Sequence, residues 1–449
     1  MFLLPMIVAA VAAPRDTDDL ALAYQRLEQA VARMGPEDPR CERVNQLADG
    51  AAASFLSGRL GDVVAQLDDA ACAAGLDREL LGLSAEVNLD RLKVVGAAPH
   101  QWPAIEVRDD RGHARCGAWA ARIEIAAQVI VDMPLDLPGG RYTVYAWFRP
   151  EDEAVALSSF VHGRRELALP IEDLSLRLGS LAVLPSMAEP LNVLKDRLAL
   201  VQGSHRSSAA ARWVLDPFPM LAAIEKEVEA LENGRDPYRH LTGDLWLTLP
   251  GPNGRIPCRL LVPSCSHDGA ALPMIVALHG AGGNEHMMLD GHGAGALKRL
   301  AEQLGVVVLS PATPYLVTSE AVTHLFKALV DRIPIDPNRV YVLGHSLGAV
   351  AALRQLTGSG RVAGAVAIAG GGALPERQTT APVRFYGAEI DAIIPARTIR
   401  AAAQMSKRNG WPAEYREVPD TGHVLIVSAV LDESVRWLLT LRRHSAPEP

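Results

Sequence analysis

The sequence has little of several things that would place a protein quickly. It has five cysteines in 449 residues, Cys41, Cys72, Cys116, Cys258 and Cys265, with no Cys-x-x-Cys and no Cys/His spacing typical of zinc. It lacks an excess of basic residues: the formal net charge is −8, which leaves no electrostatic footprint for nucleic acid or an anionic membrane. No fixed-period repeat and no low-complexity tract occurs, and neither does His-Glu-x-x-His. What is present is 49% apolar and 21% charged, the balance of a well-packed globular protein, at a length that implies two or three domains.

The longest apolar run stands at the start. "MFLLPMIVAAVAAPRD" is too short to span a bilayer and ends in small side chains, as in a secretory signal with an A-x-A-like site near Ala10-Val11-Ala12. Residues 1–13 therefore read as a signal peptide and the protein as exported, although no Lys or Arg precedes the run. In an exported protein Cys41 with Cys72 and Cys258 with Cys265 are near enough in sequence to bridge, leaving one odd thiol; the other reading of each is a small buried hydrophobe.

The texture then changes four times. Residues 14–83 are helical, with apolar positions at three- and four-residue spacing in "LALAYQRLEQAVARM" and "VNQLADGAAASFLSGRLGDVVAQL". Residues 84–176 alternate in short runs; "RIEIAAQVIVDMPLDL" and "RYTVYAWF" around Pro138-Gly139-Gly140 read as a hairpin of a small, sandwich-like antiparallel β domain. A helical connector over 177–238 ends in the breaker cluster Gly234-Arg235-Asp236-Pro237. From 239 to 445, near-continuous apolar strands alternate with amphipathic helices, which predicts an α/β fold with a doubly wound, mostly parallel sheet opened by the antiparallel pair "GDLWLTL" and "PCRLLVP". In such sheets the site lies at the carboxyl ends of the strands.

Four unusual loops fall at those ends. In "RVYVLGHSLGAVAAL" a strand turns into a helix through Gly344-x-Ser346-x-Gly348. So tight a turn strains the backbone at Ser346, holds its hydroxyl out into the crevice and requires small flanking residues. A serine hydroxyl is a weak nucleophile at neutral pH and needs a base oriented by a carboxylate. "FYGAEIDAIIP" places Asp391 past one strand and "YREVPDTGHVL" places His423 past another, with Glu389 as the reserve acid and Asp420 as a further competitor. The fourth loop, His279-Gly280-Ala281-Gly282-Gly283, lacks the Gly-Lys-Ser/Thr ending of a phosphate cradle; its backbone can instead approach a substrate oxyanion, with the N–H of Ala281 and that of Leu347 as donors. His279 is expected to structure this loop. His286, His292 and His345 stand without metal-ligand spacing, so no metal is expected, and no cofactor is needed.

The stretch "IDPNRVYVLGHSLGAVAAL", with "PVRFYGAEIDAIIP" and "PDTGH", resembles the α/β-hydrolase superfamily over residues 240–445. Within it the nearest texture is that of polyhydroxybutyrate-depolymerase-like and feruloyl-esterase-like secreted esterases, dienelactone-hydrolase-like proteins and prolyl-oligopeptidase-type peptidases. The resemblance implies Ser346 as nucleophile, Asp391 as acid, His423 as base, and Ala281 and Leu347 as oxyanion donors. The function it implies is carboxylic ester hydrolysis through an acyl-enzyme, on a small-molecule or polymer-linked ester. The short connection from Gly370 to Pro382 leaves no room for an inserted lid, so an uncapped crevice suited to bulky esters is expected unless the upstream β domain covers it. The competing readings are a prolyl-oligopeptidase-type serine peptidase and a non-catalytic binding protein on a hydrolase fold.

Overall fold

The computed structural model describes residues 14–443, apart from 36, 89–90, 96–102, 110–111, 119–128, 150–153, 164–166, 182–183, 204–216, 253, 266–269, 314–320, 359 and 377–379. The signal segment expected at 1–13 lies outside the described residues.

The chain opens with helices α1 (Pro14–Val31), α2 (Cys41–Leu56), α3 (Leu60–Ala73) and a single turn, α4 (Arg78–Leu81). The stretch from Val44 to Leu67 has one continuous apolar period, yet it folds as two helices, because the chain breaks at Ser57 and at Gly58, whose φ is +74°. Among the described residues seven short strands follow: β1 (Ser84–Asn88), β2 (Arg91–Val95), β3 (Ala104–Asp109), β4 (Ala114–Ala118), β5 (Val129–Pro134), β6 (Gly140–Trp147) and β7 (Val155–His162). They form two antiparallel sheets, in the orders β1-β2-β5 and β4-β3-β6-β7.

The hairpin expected at Pro138-Gly139-Gly140 does not form. β5 pairs with β2 and β6 pairs with β3 and β7, so the strands on either side of the turn belong to different sheets. The reason lies in the connector "PLDLP": two prolines remove ladder donors, and Leu135 and Leu137 turn into the core instead. That core joins Leu92 and Val94 of one sheet, Ile105, Val107, Val144 and Leu157 of the other, and Leu27, Val44 and Leu67 of the helices.

Among the described residues, three α-helices then lead to the last sheet: α5 (Ala168–Ser180), α6 (Ala188–Gln202) and α7 (Pro217–Glu232). They do more than connect. Leu194, Leu198, Ile224 and Val228 pack into one cluster with Trp246, Leu247 and Leu260, covering the antiparallel edge of the sheet.

The sheet has eight strands in the order β15-β14-β13-β12-β10-β11-β9-β8, made by β8 (Gly243–Gly251), β9 (Gly254–Val262), β10 (Leu272–Leu278), β11 (Val307–Pro311), β12 (Ile335–His345), β13 (Gly364–Ile368), β14 (Val383–Ala388) and β15 (Ala413–Val418). β8 and β9 pair antiparallel, as do β9 and β11; the rest are parallel. In β10 every residue is apolar, and alternate residues enter opposite cores: Met274, Val276 and Leu278 one, Ile275 and Ala277 the other. That period of two, apolar on both faces, is why the strand reads as a continuous run, and each large side chain so buried contributes roughly 1.5–3 kcal/mol. Helices α9 (Ala321–Val330), α10 (Leu347–Gly358) and α11 (Ala396–Arg408) cover the first face; α8 (Ala296–Leu304) and α12 (Ile426–Leu439) cover the second. Among the described residues no helix is long and apolar enough to cross a membrane.

The cysteines are free thiols at Cys41, Cys72, Cys258 and Cys265, so neither expected pair is bridged. Cys258 is buried within β9 while Cys265 is exposed past its end, so the two thiols lie on different sides of the core boundary. The side chain of Cys116 lies outside the described residues.

Candidate active site

β12 ends at His345 and α10 begins at Leu347, so Ser346 alone makes the turn, with φ +53° in the left-handed region that a side chain adopts only under strain. The flanking glycines are dictated by backbone contact. A Cβ at Gly344 would stand 2.1 Å from the Gly348 carbonyl oxygen, and one at Gly348 would stand 2.2 Å from that of Leu278. The turn is thus clamped against the end of β10.

The loops after β14 and β15 bring the other two predicted side chains to this hydroxyl. Ser346 Oγ lies 3.1 Å from His423 Nε2, and His423 Nδ1 lies 2.8 Å from Asp391 Oδ2. Asp391 Oδ1 accepts the N–H groups of Ile393 and Ile394, both at 2.7 Å, so its carboxylate is fixed from both sides. With Nδ1–H donating to Asp391, Nε2 is the atom left to accept the serine proton. Glu389, the reserve acid, is exposed and accepts the N–H of Asp420 instead. Asp420 has φ +51° at the turn before His423 and makes no contact with the imidazole among those the structure records.

The glycine-rich loop closes on the same point. An ideal Cβ on Gly280 would lie 3.3 Å from the Ser346 Cβ, so this backbone passes directly beside the serine, followed by Ala281. His279 holds the loop: Nε2 accepts the Thr313 N–H at 3.0 Å, and Nδ1–H donates to the Gly280 carbonyl at 2.8 Å. Burial pushes its pKa down to about 4, which keeps it neutral and in that one tautomer.

The crevice is partly covered. The N-terminal helices α1 to α3 border it, and Leu20, Ala51, Phe55 and Leu67 line one side of a partly open apolar cavity of about 140 Å³ that also takes in Gly280, Ala281, Ser346 and His423. Phe55 packs so closely on Gly282 that a Cβ there would meet its ring at 2.2 Å. The expected uncapped crevice is therefore corrected. The loop from Gly370 to Pro382 is too short for a lid, but a separate segment, the helices that end at Ala73, well before the sheet begins at Gly243, borders the crevice instead.

Sequence reasoning missed the polar side chains of those helices. On α2, Asp49 accepts three backbone N–H groups, from His423 at 2.9 Å, Val424 at 3.1 Å and Ala392 at 3.2 Å, and Asn45 accepts that of Gly422 at 2.7 Å. On α1, Tyr24 donates to Glu28 at 2.6 Å and meets His292 Nδ1 at 2.8 Å, while Glu28 also accepts from the Gly293 N–H and Ser428. His292, His345 and His423 follow one another, the first pair edge to face and the second tilted, with centroids 5.8 and 4.9 Å apart. His345 donates Nε2–H to the His423 carbonyl at 2.9 Å, and burial together with its histidine neighbours depresses its pKa well below the usual range. His286 is buried against Arg259 and Asp290. None of the three forms a metal-ligating cluster among the described residues.

Residues 275–443 match the alpha/beta hydrolase family, and this part of the chain is an α/β-hydrolase domain. No curated protein matches the chain. Among solved structures, a thermostable esterase aligns at 16% identity over 80% of this chain and 99% of its own, with a TM-score of 0.39. Two others are an esterase of Pyrobaculum calidifontis, at 18% identity over 45% and 83% with a TM-score of 0.35, and esterase 2 of Thermogutta terrifontis, at 16% over 44% and 92% with a TM-score of 0.34.

Proposed function

From an α/β-hydrolase domain whose strand-end loops converge on one serine, we propose that the protein hydrolyses carboxylic esters through an acyl-enzyme on Ser346. The observation that carries this reading is the hydrogen-bonded chain Ser346–His423–Asp391 beside an apolar cavity. His423 takes the serine proton as Oγ attacks the ester carbonyl, Asp391 holds the imidazolium that forms, and the Ala281 and Leu347 amides stabilise the tetrahedral oxyanion. The imidazolium then protonates the leaving alcohol, and water repeats the sequence to release the acid.

The cavity bounds the substrate. An apolar, partly open cavity of about 140 Å³ beside Ser346 suits an ester with a short apolar arm. This favours a small-molecule ester over a polymer, whose continuing chain would meet Phe55 and Leu67. Export is the localisation suggested by residues 1–13 alone, and N-terminal sequencing of protein recovered outside the cytoplasm tests it.

The test of function is hydrolysis of 4-nitrophenyl esters from acetyl to dodecanoyl by the wild type and Ser346→Ala. We expect an optimum at six carbons or fewer and a loss of about 10³-fold or more in the variant, with labelling of Ser346 by a serine-directed phosphonate. Peptide cleavage without ester cleavage would favour the peptidase reading; no turnover and no label would leave a binding protein.

A further inference from the structure

Asp49 is a carboxylate in an unusual position. It sits in the middle of α2 and is 1% exposed, and the structure gives it no cationic side chain among the described residues, only the three backbone N–H groups of the His423 and Asp391 loops. Gly422 is pressed so closely on it that a Cβ there would lie 2.8 Å from the carboxyl atoms. Burying a carboxylate without a counter-ion is costly, and the burial, aided by Asp391, does raise its pKa. A cation does arise beside it during catalysis: the imidazolium of His423, whose own backbone N–H Asp49 binds.

We propose that Asp49 is a positioning residue that fixes the Asp391 and His423 loops to each other and supplies a second negative charge for the His423 imidazolium. The inference rests on the ester-hydrolase reading for its catalytic meaning, but the charge effect on His423 does not need turnover to be measured. The groups facing the imidazole are few. Asp391 binds Nδ1 from the β14 loop; Ser346 meets Nε2 from the β12 turn; His345 lies against the ring and is held neutral by burial. His292 stands one ring further, backed by Tyr24 and Glu28 of α1, while Asp420 on the β15 loop and Glu389 on the β14 loop turn outward. Asp49 is thus the carboxylate besides Asp391 bonded to His423 itself.

Asn45, one helical turn earlier, is the internal control. It binds Gly422 N–H and the Asp420 carbonyl, at 2.7 and 3.2 Å, and carries no charge. Removing it loosens the loop mechanically; removing the Asp49 charge should also change the proton affinity of His423.

The experiment compares wild type, Asp49→Asn and Asn45→Ala by the pH profile of kcat/KM and by NMR titration of the His423 ring in a Ser346→Ala background. For Asp49→Asn we expect kcat to fall about 10- to 100-fold at little change in KM, with the acid limb and the ring titration moving to lower pH by about one unit, because loss of a nearby anion makes the imidazolium less favourable. For Asn45→Ala we expect a smaller fall in kcat and an unmoved limb. Should Asp49→Asn not fold, Asp49→Ser keeps an acceptor without the charge and is measured in the same way. A His423 titration unmoved by either neutral variant overturns the proposal and reduces Asp49 to a structural staple. A wild type that hydrolyses no ester overturns the functional reading instead, and leaves the ring titration to decide this one.

Discussion

The two regions that meet at the site place their polar side chains in opposite ways. In the C-terminal domain Ser346, Asp391 and His423 stand on loops at strand ends, where backbone geometry aims them. In the N-terminal region Tyr24 with Glu28 and Asn45 with Asp49 stand in mid-helix, each pair one turn apart on a buried face. A helix satisfies its own backbone, so a buried polar side chain there has its hydrogen-bonding capacity to offer to something else. Here it is offered to loops of the other region, whose N–H groups have no ladder partner. The loops carry Ser346, Asp391 and His423, and the helices complete the loops' hydrogen bonds.

The sharpest break in that comparison comes from the loop side. Gly348→Ala forces a Cβ into the Leu278 carbonyl and should cost on the order of 4 kcal/mol or more, read as loss of the cooperative melting transition of the C-terminal domain. On the helix side, Phe55→Ala should leave the fold intact but open the cap over Gly282. The chain-length optimum in the nitrophenyl series should then move up by two or more carbons, with about a ten-fold rise in the long-to-short kcat/KM ratio. Tyr24→Phe should have the smallest effect. It removes one hydroxyl between Glu28 and His292, costing about 1–2 kcal/mol in chemical denaturation and changing kcat less than about three-fold, since His292 does not touch Ser346 or His423 through that bond. An unchanged optimum in Phe55→Ala would show that the helices shape the loops and not the cavity.

The same contrast explains what could be read before the structure. β10 is legible because both of its faces are covered, so its sequence is an unbroken apolar run, and the buried stretch Val340 to Leu343 of β12 is legible for the same reason. Ser346 and Asp391 are legible because each follows a buried strand; His423 follows the half-exposed strand β15 and is legible from its place after them, in an order that parallel strands bring together. Asp49 and Asn45 are not, since a polar residue in a helix ordinarily marks its solvent face. Their signal was present but faint: in "VNQLADGAAASF" both fall on the stripe of Val44, Ala48 and Ala51, where an amphipathic helix should be apolar. The misplaced hairpin has a similar cause. Pro-Gly-Gly is a fair local turn, but pairing depends on which distant strands offer a partner, and β2 and β3 took the two flanking strands separately.

The staple from α2 also bears on how the protein comes into being. Translation runs from Asn45 and Asp49 to Gly422 and His423, a separation of 377 and 374 residues for the two bonds that join them. Until that last loop has left the ribosome and docked, the strained serine turn exists without its imidazole held in place. The arrangement around Ser346 is therefore completed only at the end of synthesis, by the contact that also covers it.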